Sequence, residues 1–150
     1  MGETAGRVLA LDLGKKRIGL AVSDSLGMTA QGLPTLARTN KAKDLEALNQ
    51  VIRDKAVALV VVGQPLHMSG TEGRQANHAA QFARTLATHA RVEVRLWDER
   101  LTTVEASRVL RQAGVSRQKH RAAVDRLSAV LILQSYLDYL AERPQEKPAT

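Results

Sequence analysis

The spacing of apolar residues changes period several times along the 150-residue chain, and each change predicts a different element. Residues 7–13, RVLALDL, form a short apolar run that reads as a strand. Gly14 to Lys16 turn the chain, and residues 17–23 alternate Ile18, Leu20 and Val22 with Gly19 and Ala21, so the two strands are expected to form a hairpin. After a turn-like Asp24-Ser25-Leu26-Gly27, residues 28–36 read as a third, weaker strand ending near Pro34. Leu45, Leu48, Val51 and Ile52 recur at helical spacing within residues 41–55. The run VALVVVG, 57–63, is β-branched and continuously apolar, as in a strand buried on both faces. A loop, QPLHMSGTEG, leads to a helix over about residues 73–89 with Ala76, Ala79, Ala83 and Leu86 facing inward, and Val92 to Trp97 read as another strand. Thr102-Thr103-Val104-Glu105 fits a capping box, which starts a helix running to about Ala113 with Gly114 as its stop. A basic loop, GVSRQKHRA, then precedes a long apolar helix over about residues 122–141, and the last residues, 142–150, read as a flexible tail.

This order, β-β-β-α-β-α-β-α, describes one α/β domain over residues 1–150 with its core within about 7–141. Three antiparallel strands followed by βαβ crossovers make a mixed five-stranded sheet flanked by helices. A chain of this length buries roughly 70% of its unfolded surface and needs no covalent staples.

Three acids run against the apolar pattern. Asp12 lies in the first strand and shares a face with Val8 and Ala10, while Leu9, Leu11 and Leu13 line the other. If Gly19 and Ala21 face the same way, there is room beside Asp12 for a helix or a ligand; the plainer reading is a strand-end acid bonded to a turn amide. Asp98 and Glu99 end the last strand, at the carboxyl edge where α/β sheets bind ligands. They point to opposite faces. Strand alternation favours Asp98 as the inward one, since it continues Val92, Val94 and Leu96, although a single bend at a strand end reverses that parity. Acids stabilised by a following helix dipole are the simpler alternative. Asp125 aligns with Ala129, Ile132 and Tyr136 on the buried stripe of the last helix, with Ala122 one turn earlier. It is also compatible with an ordinary first-turn acid paired to Arg121. If the three converge, their mutual repulsion calls for a divalent cation, and hard oxygen ligands with open positions suit Mg²⁺ or Mn²⁺. Such sites hydrolyse phosphodiesters.

Composition narrows the partners. The 22 Lys and Arg residues outnumber 15 Asp and Glu, for a net charge of +7, which favours a polyanion such as nucleic acid and no membrane. With one Phe, one Trp and two Tyr, the chain lacks the aromatics of a base-stacking platform. It has no cysteine, which fits a cytoplasmic location, as does the lack of an apolar leader or membrane-length run.

The segments LDLGKKRIGLAVSD, VVGQPLHMSGTEG, WDERLTT and VDRLSAVLILQSYL resemble, in order from about Arg7 to Leu140, the YqgF family, also called RuvX, of the Holliday-junction-resolvase-like RNase H superfamily. Gln64 and Ser128 depart from its usual residues, without touching the acids. The resemblance implies an RNase H-like fold and a metal-dependent nuclease that processes the 5′ end of pre-16S rRNA, with branched or single-stranded DNA as a second candidate substrate. By position it implies Asp12, Glu99 and Asp125 as the catalytic, metal-binding acids, choosing Glu99 where alternation favours Asp98. Ribosomal precursor particles are implied partners, and the expected state is a monomer or weak homodimer.

Two basic clusters flank these acids. Lys15, Lys16 and Arg17 follow Asp12 in the hairpin turn, and Arg117, Lys119 and Arg121 precede Asp125; with Arg100 they are candidates to hold substrate phosphates. The same cations on a solvated surface are the alternative. The rival function is a non-catalytic nucleic-acid-binding protein with an RNase H-like fold. An actin-like ATPase also opens with a strand bearing Asp-x-Gly, but it needs a second domain for which this chain is too short.

Overall fold

The computed structural model describes residues 6–65, 73–99 and 117–142, with the backbone alone described for residues 75 and 117–126. Five strands form one sheet: β1 (Arg7–Leu13), β2 (Arg17–Ser23), β3 (Ala30–Ala37), β4 (Val57–Gln64) and β5 (Glu93–Asp98). Their order across the sheet is β3-β2-β1-β4-β5. The first three strands are antiparallel neighbours, whereas β4 runs parallel to β1 and β5 parallel to β4, the mixed topology expected from the element order.

Three described helices cover the sheet: α1 (Lys41–Asp54), α2 (Arg74–Ala90) and α3 (Arg117–Glu142). Asn40 caps α1 by accepting the Lys43 amide at 2.9 Å. The two sheet faces carry separate cores. Leu9, Leu11, Val60 and Val62 meet Leu45, Leu48, Phe82 and Leu86 of α1 and α2 on one side. On the other, Ala10, Ala21 and Val61 meet Ala129, Ile132, Leu133, Tyr136 and Leu137 of α3. The small residues of β1 and β2 let α3 lie close to the sheet. No described helix is long and apolar enough to cross a membrane.

One boundary differs from the sequence expectation. The segment from Arg117 is helical, not a loop ahead of a helix starting near residue 122. Arg, Gln, Lys and Ala are strong helix formers, so low apolar content there is compatible with helix as well as with a loop. The helix expected over residues 102–113, the glycine-containing loop after Pro65 and the tail lie outside the described residues. Among exposed turns, Asp24 accepts the Met28 and Thr29 amides, and the Met28 bond in particular holds its carboxyl below its ordinary pKa.

Candidate functional site

The sheet's register decides which side chains share a face. Asp12 lies opposite Gly19, and Ala10 opposite Ala21, so the small residues of β2 stand beside the β1 acid on the α3 side. Asp12 is buried, with 5% of its surface exposed. Across the parallel β1–β4 pair, Leu11 aligns with Val62, which brings Gly63 next to Asp12 one residue on. Gly63 in turn aligns with Trp97 of β5.

Glu99 follows directly after β5 and is also buried, at 6% exposure. Its side chain reaches back over Gly63: a methyl group added there would stand 2.8 Å from Glu99 Oε2, 3.3 Å from its Cγ and 2.6 Å from Cδ1 of Ile132. The glycine is therefore a floor, leaving the space that Glu99 occupies between the sheet and α3. A glycine ending a buried strand is the sequence signal for such a close approach. In VALVVVG the β-branched run gives the strand, and its glycine is the residue that ends the run.

Asp98 points the other way. It pairs in register with Gln64, whose Nε2 donates to the Ala76 carbonyl of α2 at 3.3 Å, so both belong to the α1–α2 side. Alternation correctly grouped Asp98 with Val92 and Val94, which pack on the α1–α2 core. The space beside Asp12 belongs to the other set, which runs Arg95, Trp97, Glu99. Trp97 Nε1 donates to Ser135 Oγ at 3.2 Å and Arg95 Nη1 to Tyr136 Oη at 2.9 Å, tying that set to α3.

Position 125 lies in α3 two turns before Ile132 and on the same stripe as Ala129, Ile132 and Tyr136, all buried against the sheet. Ile132 sits at Gly63, and Tyr136 at Arg95, which pairs with Val61. The helix therefore runs down the sheet away from the carboxyl ends of β1 and β4, and residues before Ile132 extend toward and past those ends. The Asp125 side chain is outside the described residues. Among those described, no group of three or more histidines and acids gathers as a metal cluster. The two assessable carboxylates are brought to one face and one end of the sheet; Asp98 is not.

Of the basic candidates, Lys15 and Lys16 are exposed in the β1–β2 turn and Arg17 is half-buried at the start of β2. That turn is at the same end of the sheet as Asp12 and Gly63. Arg117, Lys119 and Arg121 lie on the first turns of α3, with only their backbone described, and Arg100 lies outside the described residues.

A mixed sheet with β1 antiparallel to β2, parallel to β4, and α3 crossing its acid-bearing face defines an RNase H-like protein. Solved resolvases show the same fold. RuvC of Thermus thermophilus, solved in complex with a Holliday junction, superposes with a TM-score of 0.56 at 15% identity, over 91% of this chain and 95% of that one. The fowlpox virus resolvase, solved with Holliday junction DNA, gives 0.56 at 12% identity over 91% and 99%. The profile of the RuvX family, described as Holliday junction resolvase, matches residues 6–139, and the chain belongs to that family. Relatives provisionally named pre-16S rRNA nucleases include one from Koribacter versatilis (strain Ellin345), 54% identical over 89% of this chain and 87% of its own. Another, from Shouchella clausii (strain KSM-K16), is 51% identical over 88% and 94%.

Proposed function

We propose that this protein is a divalent-metal-dependent nuclease that trims the 5′ end of pre-16S rRNA in the cytoplasm, with Asp12, Glu99 and Asp125 as its metal-binding acids. The observation that carries the reading is the placement of two buried carboxylates on one face and at one end of the sheet, with Glu99 folded over Gly63, the neighbour of Asp12 across the β1–β4 pair. Names of relatives at 51% and 54% identity support the RNA substrate. The family description favours branched DNA as the second substrate.

The donor set fits the group. Carboxylate oxygens on a rigid strand and at a strand end are hard ligands of the kind Mg²⁺ and Mn²⁺ prefer, and Asp125 would supply a third from its position on α3. An ion held by these acids would supply Lewis-acid polarisation of the scissile phosphate and a lowered pKa for a bound water. The chain's own part is to hold the acids still. Asp12 is fixed by the β1–β2 and β1–β4 ladders, and Glu99 by the wall of Ile132 above Gly63. Lys15, Lys16 and Arg17 stand at the same end, where the phosphate backbone would run, and bind it without reading sequence.

Asp12→Asn removes charge at nearly constant shape. It is expected to abolish Mn²⁺- and Mg²⁺-stimulated cleavage of a pre-16S 5′ leader while binding to that RNA stays within about twofold, as for loss of an interaction made only in the transition state. Undiminished cleavage by this variant at saturating metal excludes the site. Binding without metal-stimulated cleavage by the wild type points instead to a non-catalytic binder.

A further inference from the structure

The β1–β2 turn is held both by its own backbone and by a residue outside it. Gly14 N–H donates to the Arg17 carbonyl at 2.8 Å, closing a two-residue loop of Lys15 and Lys16. Gly14 is required, because a Cβ there would lie 2.7 Å from that same carbonyl oxygen. Neither lysine has a positive φ, the mark of the tight hairpin turns whose twist matches the flanking strands.

Arg38 buttresses the turn from outside. It follows β3, and its backbone N–H donates to the Lys16 carbonyl at 2.9 Å. Its Nη1 donates to the Gly14 carbonyl at 2.7 Å. One residue thus holds both ends of the dipeptide that carries the exposed lysines. Arg38 is itself held. Its Nε lies 3.5 Å from Oδ2 of Asp44, which is buried near the start of α1, and its guanidinium carbon lies 5.8 Å from the Phe82 ring centre. Asp44 Oδ1 accepts the Thr39 amide at 3.0 Å, locking the chain between β3 and α1. A charge buried this fully is strongly destabilising if its partner is removed, so the fold maintains the pair for more than surface charge.

We infer that Arg38, oriented by Asp44, is a positioning residue that presets Lys15 and Lys16 as a rigid phosphate clamp next to Asp12. The inference rests on the proposed nuclease function. The fork of a guanidinium reaches a carbonyl and a carboxylate at once, which an ammonium cannot do, so Arg38→Lys is not a conservative change here.

The test is a mutant cycle read by binding to a single-stranded pre-16S leader RNA across a salt series, with the full chain in EDTA. Lys15→Ala/Lys16→Ala is expected to flatten the slope of log K against log salt by about 1.4, at roughly 0.7 per lost contact. Arg38→Gln, with the lysines intact, is expected to weaken binding about tenfold at unchanged slope, since the lysine stems must then be ordered on binding. In the Lys15→Ala/Lys16→Ala background, Arg38→Gln is expected to do nothing further. Arg38→Lys is expected to recover only part of the loss. Asp44→Asn, which frees Arg38 without altering side-chain size, is expected to follow Arg38→Gln in the same direction and serves in its place if that variant does not fold. An undiminished effect of Arg38→Gln without the lysines, or a slope lowered by Arg38→Gln alone, overturns the inference and leaves the nuclease reading intact. A wild type that binds no nucleic acid overturns both.

Discussion

Gly63→Ala tests whether the position of Glu99, and not merely its presence, is what the site needs. The added methyl would approach Ile132 Cδ1 at 2.6 Å and Glu99 Oε2 at 2.8 Å, both too close for carbon, so both neighbours must give way. Overpacking of this kind costs about 1–3 kcal/mol. Against it, alanine restricts the unfolded chain and returns about 0.4–1 kcal/mol. A net loss of about 1–2 kcal/mol remains, and at 150 residues this lowers Tm by about 2–8 °C. Cleavage should fall far more steeply, about 100-fold, because Glu99 is pushed from its place by a distance on the order of 1 Å. The two effects can be separated. Ile132→Val deletes the atom at 2.6 Å and leaves the Glu99 collision in place. By itself it costs about 0.5–1.5 kcal/mol. Combined with Gly63→Ala it should restore much of the melting temperature while cleavage stays low. Thermal melts and metal-saturated cleavage rates on the four proteins decide the matter. Recovery of cleavage in step with Tm in the double variant would refute the reasoning, since the defect would then come from α3 packing and not from Glu99.

Two further outcomes follow from the same geometry. Glu99→Gln should reduce metal-saturated cleavage by at least about 100-fold, as loss of a ligand exceeds the effect of losing its supporting groups, while Asp98→Asn, on the α1–α2 face beside Gln64, should stay within about threefold; the opposite ranking in single-turnover rates would return the site to Asp98. Replacing Arg117, Lys119 and Arg121 together by Ala should flatten the salt dependence of duplex binding by up to about 3 units without loss of helix content, because alanine favours the helix these residues occupy; an unchanged slope makes them a solvated helix end.

Much of the fold was legible in the sequence because its determinants are local. Strand alternation placed Leu9 and Leu11 opposite Ala10 and Asp12, and helical spacing placed Ala76, Ala79, Ala83 and Leu86 inward; all are buried on the expected sides. The mixed sheet follows from element order, since hairpins are antiparallel and βαβ crossovers parallel. The start of α3 is not legible, because a polar, apolar-poor stretch reads equally as loop and as a run of strong helix formers.

The site was legible only in part. The odd placement of Asp12 in an apolar strand is a local anomaly and shows in the sequence. Asp98 and Glu99 are each as acidic as the other, and alternation says only that they point apart. Which face receives α3, and so which of them meets Asp12, depends on how the helices distribute over the two sides of the completed sheet. Gly63 becomes meaningful only when Glu99 and Ile132, 36 and 69 residues away in sequence, are packed over it. Arg38 carries no signal in the sequence, since its partners Gly14 and Lys16 lie in a hairpin turn 24 and 22 residues earlier. Period and propensity are properties of neighbours along the chain and were determined by the sequence alone; the choice of face and the clamp on the turn are properties of neighbours in space, and the tertiary structure decided them.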